Sequence, residues 1–345
     1  MGEESDRSDA RADLAVVVDK PATGDAIAEL REAGLYDDTR RVREHDDDHV
    51  EIPVVAAPEG MGRAIEQADP EPRVAGLDDL LAERGFSAAE IGAAPNSWAV
   101  IGDVVLARFD GCPRREAVAE ALLDLQDAET VLDRRGVAGE HREPDVEVVA
   151  GSGETETVHT EHGTAYALDL AAVMFSPGNK RERVRMGEVV ESGERVLDPF
   201  AGIGYFTLSM ARAGAEVTAI ERNPVAFRYL IENVPLNGVD DRVRPFRADC
   251  RDAIDAFAES GESFDRLVMG CYDAFEYLDP ALSVLAPGGV VHMHEATPEA
   301  ELPERLRPAA NERGRSVEVL DRRRVKTHSE GVFHVVVDAR VGTAD

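Results

Sequence analysis

Lysine is nearly absent from this chain. Lys20, Lys180 and Lys326 are the only lysines among 38 Lys+Arg, so arginine carries almost all the positive charge. Cysteine is equally scarce. Cys112, Cys250 and Cys271 are scattered, which excludes a disulfide framework and a zinc cluster and fits a reducing cytoplasm. No apolar run approaches the ~18–20 residues that a membrane-spanning helix needs. The opening stretch, MGEESDRSDARAD, is acidic and polar and does not read as a secretory signal. No internal repeat or low-complexity tract appears.

Carboxylates are what the chain has in excess. Its 345 residues hold 69 Asp+Glu, and the net charge is -31. At 43% hydrophobic residues it can still bury real cores, and the length suits two or three domains. Asp and Glu are spread along the whole chain rather than gathered in a tail. A carboxylate-rich, lysine-poor surface stays hydrated in a salt-filled cytoplasm, where a Debye length of ~3 Å at 1 M screens self-repulsion. We therefore expect a halophilic protein, with an ordinary acidic protein as the plainer reading. On such a background, global charge says little against nucleic acid, and local excess says more. Basic clusters occur at Arg114-Arg115, at Arg134-Arg135, through Lys180, Arg181, Arg183 and Arg185, and at Arg322-Arg323-Arg324 with Lys326. The competing reading of each is an arginine balancing nearby acids.

Three regions follow one another. Residues 1–57 read as a small α+β domain. LAVVVDK is a strand, ATGDAIAELREAGL a helix with Thr23 as N-cap and Gly34 as stop, and RRVREHDDDHVEIPV a hairpin turning at Asp46-Asp47-Asp48. Pro58, Gly60, Pro70 and Pro72 mark 58–77 as a linker. Residues 78–170 read as a middle α/β domain: a helix at 77–84, a strand through WAVIGDVVLARF, a helix at 115–125, and strands near 145–150, 155–160 and 164–170. In residues 171–345 strand-like runs alternate with helical ones, from RVLDPF to GVVHMHEA, and the chain closes with two strand patterns, SVEVLDRRRVKT and GVFHVVVDARV. Such alternation predicts a doubly wound, mostly parallel seven-stranded sheet, and the final pair without a helix between them predicts an antiparallel strand at one end.

The chemistry gathers at the ends of this region's first strands. The first runs into Asp198-Pro199-Phe200-Ala201-Gly202-Ile203-Gly204. Ligands of open α/β sheets bind outside the carboxyl ends of the strands, and glycines there let backbone approach them. Thr207 stands where the dinucleotide fingerprint GxGxxG needs its third glycine, and no Gly-Lys-Ser/Thr follows, so the ligand need not be a phosphate. The second strand ends in Glu221, placed to accept from two ribose hydroxyls, and the third in Asp249-Cys250, where a carboxylate can accept from an adenine amine. A nucleoside without phosphates, held by Asp198, Glu221 and Asp249, points to S-adenosylmethionine. Taken singly, each reads first as a helix cap or a strand-end carboxylate.

These residues carry a resemblance. Residues 171–345 resemble a class I, Rossmann-like S-adenosylmethionine-dependent transferase. Residues 12–341 are similar to the family of tRNA guanine-37 N1-methyltransferases and wybutosine-synthesizing aminocarboxypropyl transferases. The likeness rests on LREAGLYDDTRRVREHDDDHVEIPV, SWAVIGDVVLARF, the run from VLDRRGVAGEH to AVMFSPGNKRERVRM, VLDPFAGIGYFTL, ERNP, ADCRD and RRRVKTHSEGVFHVVVDARV. It implies that the substrates are S-adenosylmethionine and tRNA. The scattered cysteines and short apolar runs fit a cytoplasmic protein with no metal and no membrane, and we expect a monomer.

The resemblance also speaks to the reaction. The methyltransferase branch has Ser-Pro-Arg where this chain has Ser176-Pro177-Gly178-Asn179, and an Asn-Leu/Pro-Pro motif where this chain has Met269-Gly270-Cys271-Tyr272. FSPGN, VMG and VHMHEA resemble the aminocarboxypropyl branch, which implies transfer of the 3-amino-3-carboxypropyl group to a wyosine-type base at position 37 of tRNA-Phe. That branch carries Ser176, Arg183, Glu221, Asp249 and Cys250 over as donor contacts, beside Asp198, Gly202 and Gly204 from the strand-end reading. Gly178 and Gly270 lack the polar side chains that would grip the donor's tail. Guanine-37 methylation is the alternative, and small-molecule methylation a lesser one. No catalytic residue is assigned. His292 and His294 alternate on the fifth strand and share a face, with a catalytic role and a satisfied strand-end role open to both. Met269 and Met293 read as core. Phe200, Tyr205 and Tyr272 are candidates for stacking on a base.

Overall fold

The computed structural model describes residues 13–58, 60–73, 76–139, 143–298, 302–329 and 331–343. The acidic opening stretch, residues 1–12, lies outside them. The chain divides into two compact units, Met1–Phe86 and Ser87–Asp345.

The first unit holds β1 (Leu14–Asp19), α1 (Thr23–Glu32), β2 (Arg43–Glu44), β3 (His49–Pro53), β4 (Arg63–Glu66) and α2 (Leu77–Glu83). Its antiparallel sheet has the order β2-β3-β1-β4. Apolar alternation in β1 and β3 puts Val16, Ile52 and Val54 against Ala26 and Leu30 of α1. The hairpin at Asp46-Asp47-Asp48 forms as β2 and β3. Two expectations change. Thr23 lies inside the first helical turn and its hydroxyl donates to the Lys20 carbonyl at 2.8 Å, so Ala22 is the N-cap residue. The stretch 58–77 carries β4, which pairs with β1 despite the prolines around it.

The second unit begins with α3 (Ala88–Gly92), β5 (Trp98–Ile101), β6 (Val104–Ala107), α4 (Arg115–Gln126), β7 (Thr130–Ala138) and β8 (Glu143–Gly151). The single strand expected through WAVIGDVVLARF is a hairpin. Gly102, at φ +59°, turns the chain so that Ile101 pairs with Val104. β7 escapes the sequence patterning because Asp133-Arg134-Arg135-Gly136 breaks its apolar run. It is nonetheless the strand that joins β6 to β8 in the sheet β5-β6-β7-β8.

A separate hairpin follows, β9 (Glu156–Glu161) and β10 (Thr164–Asp169), and then α5 (Lys180–Val189). The remaining elements alternate: β11 (Arg195–Asp198), α6 (Thr207–Arg212), β12 (Glu216–Glu221), α7 (Pro224–Leu236), β13 (Val243–Arg247), α8 (Cys250–Ser260), β14 (Phe264–Met269), α9 (Leu278–Ser283), β15 (Leu285–Thr297), α10 (Leu302–Glu312), β16 (Val317–Ser329) and β17 (Val332–Val341). They form one seven-stranded sheet, β13-β12-β11-β14-β15-β17-β16, parallel from β11 to β15 and antiparallel at β17. This is the doubly wound architecture that the alternation predicts.

The parallel strands read as apolar runs because both faces are covered. Val196, Ala219 and Val268 face α5, α6 and α7. Leu197, Ile220, Met269 and Met293 face α8, α9 and α10, which confirms both methionines as core. α8 shows how one helix is specified. Asp249 caps it by accepting from the Arg251 amide at 2.9 Å, Ala253, Ile254 and Phe257 form its buried stripe, and Gly261 at φ +75° ends it. Burying Ile254 and Phe257 contributes about 1.5–3 kcal/mol each. From β11 the chain winds outward to β12 and β13, then returns to the other side of β11 for β14. That reversal opens a crevice at the strands' carboxyl ends.

Candidate active site

A cleft of about 600 Å³ lies at those carboxyl ends. One wall comes from β7, β8 and the segment before α5, including Arg134, Val137, Val146, Phe175, Ser176 and Asn179. The floor comes from the loops after β11, β12, β13 and β14. His294, His334 and Lys326, on β15, β17 and β16, close the far end.

At the near end, Glu221 finishes β12. One carboxylate oxygen accepts from the Gly202 amide at 2.8 Å and the other from the Asn223 amide at 2.7 Å. The side chain thus ties the loop after β11 to the start of α7, while each oxygen keeps a further lone pair for a ligand. Burial raises its pKa, against the pull of those amides. Gly202 sits at φ +58°, and a Cβ there would lie 2.5 Å from the Tyr205 ring, so the loop can follow this path only with glycine. Asp249 and Cys250 line the same cleft at the α8 N-terminus, after the neighbouring strand β13. Burial pushes the Cys250 thiol up to about 12, so it is protonated and not a nucleophile.

Ser176, Gly202, Glu221, Asp249 and Cys250 therefore meet in one cleft. Arg183, Asp198 and Gly204 are not among the residues lining it. Asp198 is fully buried, and one oxygen accepts from the Thr207 hydroxyl at 2.7 Å. It braces the β11 loop against α6, and burial pushes its pKa up to about 6. Gly204 lets the loop press on α6, since a Cβ would come 2.9 Å from Leu208 Cγ. Arg183 is 2% exposed, paired with Glu161 at 2.7 Å and stacked on the Phe175 ring at 4.9 Å. It also donates to the Ser176 carbonyl at 3.0 Å, so it holds the Ser176 loop from beneath.

The far end differs in character. Lys326 Nζ donates to the Ser176 hydroxyl at 3.2 Å. Gly178 lies beside that lysine. Gly270 forms part of the floor, where a Cβ would lie 2.8 Å from the Phe206 ring, so packing alone already demands glycine there. Phe200, Tyr205 and Tyr272 all line the cleft; Phe200 meets Tyr277 edge-on at 5.0 Å, and Tyr272 meets His334 edge-on at 5.0 Å. Asn179 Oδ1 is buried with no hydrogen-bond partner among the described residues. The two strand histidines part company. His292 is enclosed between Asp338, at 2.6 Å from its Nδ1, and Arg266, so it belongs to a structural network. His294 lines the cleft and bonds through Nδ1 to His334 Nε2 at 3.1 Å. Asn179 and His334 were not singled out from the sequence. The departure at Ser176–Asn179 was the available signal for the first, and the GVFHVVVDARV alternation for the second.

The basic clusters also divide. Arg185 and Arg323 converge on Asp338 at 2.7 and 2.8 Å, and Arg323 also pairs with Glu182 at 2.7 Å. Lys180, Arg181, Arg134 and Arg322 are exposed and make no ion pair among the described residues. Among those residues no helix is long and apolar enough to cross a membrane.

A sheet of this order, with a strand-end acid at Glu221 and a glycine-bearing loop after β11, defines a Rossmann-like S-adenosylmethionine-dependent transferase domain. The donor fits the cleft: Glu221 and Asp249 offer acceptors for a nucleoside, and buried Asn179 Oδ1 lacks a partner that a ligand would supply. Comparison narrows the class. The TRM5/TYW2 methyltransferase domain matches residues 157–320, and the TYW2 N-terminal domain matches residues 77–155. The tRNA(Phe) (4-demethylwyosine(37)-C(7)) aminocarboxypropyltransferase of Pyrococcus horikoshii is 40% identical over 256 residues, 72% of this chain and 90% of that protein. The crystal structure of P. horikoshii TYW2 in complex with MeSAdo superposes with a TM-score of 0.66 at 34% identity, over 77% of this chain and 98% of that one. Trm5b from Pyrococcus abyssi superposes with a TM-score of 0.68 at 29% identity, over 96% of this chain and 99% of that one. The chain belongs to the TRM5/TYW2 family.

Proposed function

We propose that this protein transfers the 3-amino-3-carboxypropyl group of S-adenosylmethionine to a wyosine-type base at position 37 of tRNA-Phe. The observation that carries the reading is the 40% identity to an aminocarboxypropyltransferase over 90% of that protein, on a chain whose cleft has two chemically distinct ends. Glu221 holds the ribose hydroxyls, and Asp249 with Cys250 the adenine edge. Ser176, with Lys326 behind it, takes the amino acid arm; Arg183, Asp198 and Gly204 act by holding the loops that carry these contacts. S-adenosylmethionine supplies a sulfonium with three electrophilic carbons, and the carbon that meets the acceptor decides the product. In-line attack makes positioning the main catalytic contribution of the protein. The base must leave its stack to reach the cleft. Exposed Arg134, Lys180, Arg181 and Arg322 then meet the tRNA phosphates.

Within this reading, residues 1–57, their sheet completed by β4 of the stretch 58–77, touch tRNA away from the anticodon, β6, β7 and β8 of 78–170 complete the cleft wall, and 171–345 bind the donor. The protein works as a cytoplasmic monomer in high salt. Guanine-37 methylation keeps one observation in its favour, the 96% coverage by Trm5b. The by-product separates the two. Incubation with S-adenosylmethionine and tRNA-Phe carrying the tricyclic precursor is expected to release 5′-methylthioadenosine, whereas S-adenosylhomocysteine with a methylated tRNA would overturn the proposal. A fuller check is the nucleoside content of tRNA-Phe after gene deletion.

A further inference from the structure

His294 sits near the carboxyl end of β15, 2% exposed, in the wall of the cleft. The Phe206 ring lies 5.1 Å from its own, and His334 Nε2 lies 3.1 Å from its Nδ1. Its Nε2 meets no hydrogen-bond partner among the described residues. Buried polar atoms are nearly always satisfied, and one left open in a ligand cleft is an atom kept for the ligand. With Nδ1–H donated to His334, Nε2 presents a bare lone pair.

The proposed reaction needs such a group. An aromatic ring carbon that gains a new carbon–carbon bond must lose its hydrogen as a proton. We infer that His294 is the general base that removes this proton from the acceptor carbon, with His334 as the relay behind it. This inference rests on the aminocarboxypropyl reading. The ring carbon's π electrons form the bond to the terminal carbon of the 3-amino-3-carboxypropyl group. The carbon–sulfur bond breaks, its electron pair stays on sulfur, and the positive charge passes from sulfonium to the ring. The ring hydrogen leaves as a proton to His294 Nε2 and aromaticity returns. His294 then passes its Nδ1 proton to His334 Nε2. Atoms and charge balance with no other reactant.

The surroundings suit this role. Burial, with the Arg323 guanidinium adding positive charge, pushes the His294 pKa down to about 3. The imidazole is therefore neutral before reaction, with its lone pair available. A weak base suffices, because a cationic ring carbon is a far stronger acid than imidazolium. Tyr272, edge-on to His334, supplies an aromatic surface next to the pair.

Three measurements on the full-length protein test this. In ¹⁵N spectra of histidine-labelled protein, His294 is expected as the Nδ1–H tautomer, and its Nε2 signal should move on adding precursor tRNA with 5′-methylthioadenosine. A proton resident on Nε2, or no movement, would overturn the assignment without any turnover being measured. His294→Ala should bind S-adenosylmethionine as wild type does by calorimetry and turn over ~10²–10⁴-fold more slowly. With precursor tRNA deuterated at the acceptor carbon, that variant should show a primary isotope effect that wild type lacks. A slow variant without the isotope effect would make His294 merely structural. If His294→Ala does not fold, His294→Gln keeps a polar group of similar reach and carries the same expectations. A wild type that releases S-adenosylhomocysteine would instead remove the reaction on which the inference stands.

Discussion

At the scale of single residues, burial assigns opposite tasks to groups that look alike in sequence. Asp198 and Glu221 both end parallel strands, yet only Glu221 reaches the cleft. Arg183 is the sharpest case. Its pairing with Glu161 is almost wholly buried, and removing one partner of such a pair costs about 3–5 kcal/mol because the other charge is left behind. Arg183→Leu is expected to lose that much in urea unfolding and to weaken S-adenosylmethionine binding through the Ser176 loop. A variant with native stability and native affinity would contradict the bracing role. Titration gives a second test. His294 stays neutral in the fold to about pH 3 but protonates below ~6.5 when unfolded, so its contribution is full above that value and shrinks as the pH falls. Asp198 runs the other way: its folded pKa of about 6 exceeds the unfolded one, so between about 6 and 4 falling pH relieves a cost. Asp198→Asn should therefore steepen the acid loss of stability in that window, and His294→Gln should flatten it, as read from urea midpoints at successive pH values. The strand-end acids were legible because they follow recognisable strands. Which of them faces a ligand depends on the loop's path, and no local pattern encodes that path.

At the scale of elements, one helix is fastened to one strand by side chains that imitate backbone. Asn233 on α7 and Asn237 at its C-cap lie one turn apart, about 6 Å along the axis, and Ala165 and Ala167 lie two residues apart on β10, nearly the same distance. The spacings match, so each carboxamide pairs with one residue's amide and carbonyl. Ala165 N–H meets Asn237 Oδ1 at 2.9 Å and Ala167 N–H meets Asn233 Oδ1 at 2.7 Å; their carbonyls accept from Asn237 Nδ2 at 2.7 Å and Asn233 Nδ2 at 3.1 Å. This seats the β9–β10 hairpin beside the large sheet and carries Glu161 to Arg183. Asn233→Ala leaves the half-buried Ala167 amide and the buried Ile203 carbonyl without their partner and should cost about 1–3 kcal/mol. Hydrogen exchange should speed up at Ala165 and Ala167 well before it does in β14. Uniform acceleration across the sheet would mean that the hairpin is not a separable unit. The parallel strands and their helices were legible from the alternation of apolar strand runs with helical ones; the cap at Asn223 shows only in the structure. β7 was not, because Arg134, Arg135 and Gly136 interrupt its pattern where it reaches the cleft. The asparagine fastening was equally hidden, since it needs a helix and a strand about 70 residues apart to meet.

At the scale of the whole molecule, charge decides behaviour. A net charge of -31 spread over the chain repels itself in any compact state, and that repulsion acts through water between exposed groups. Salt screens it: the Debye length falls from about 10 Å at 0.1 M to about 3 Å at 1 M. Asp338 itself is buried, so its pairs are screened far less and hold at either concentration, with His292, then Arg323 and Arg185, keeping that carboxyl far below its usual range. The stabilising pairs thus outlast the added salt while the destabilising background fades. Raising KCl from 0.1 to 2 M should lift the melting temperature by several degrees, most of it below 1 M, where screening is nearly complete. The same balance governs the partner. Counterion release supplies little binding free energy once bulk salt is high, so tRNA must be held mainly by shape, stacking and hydrogen bonds. Its affinity should then change little between 1 and 3 M KCl. Neutralising Arg181 and Arg322 together should weaken binding strongly only below about 0.5 M. A melting temperature indifferent to KCl would mark an ordinary acidic protein, and a steep loss of tRNA above 1 M would mean that phosphate contacts still dominate.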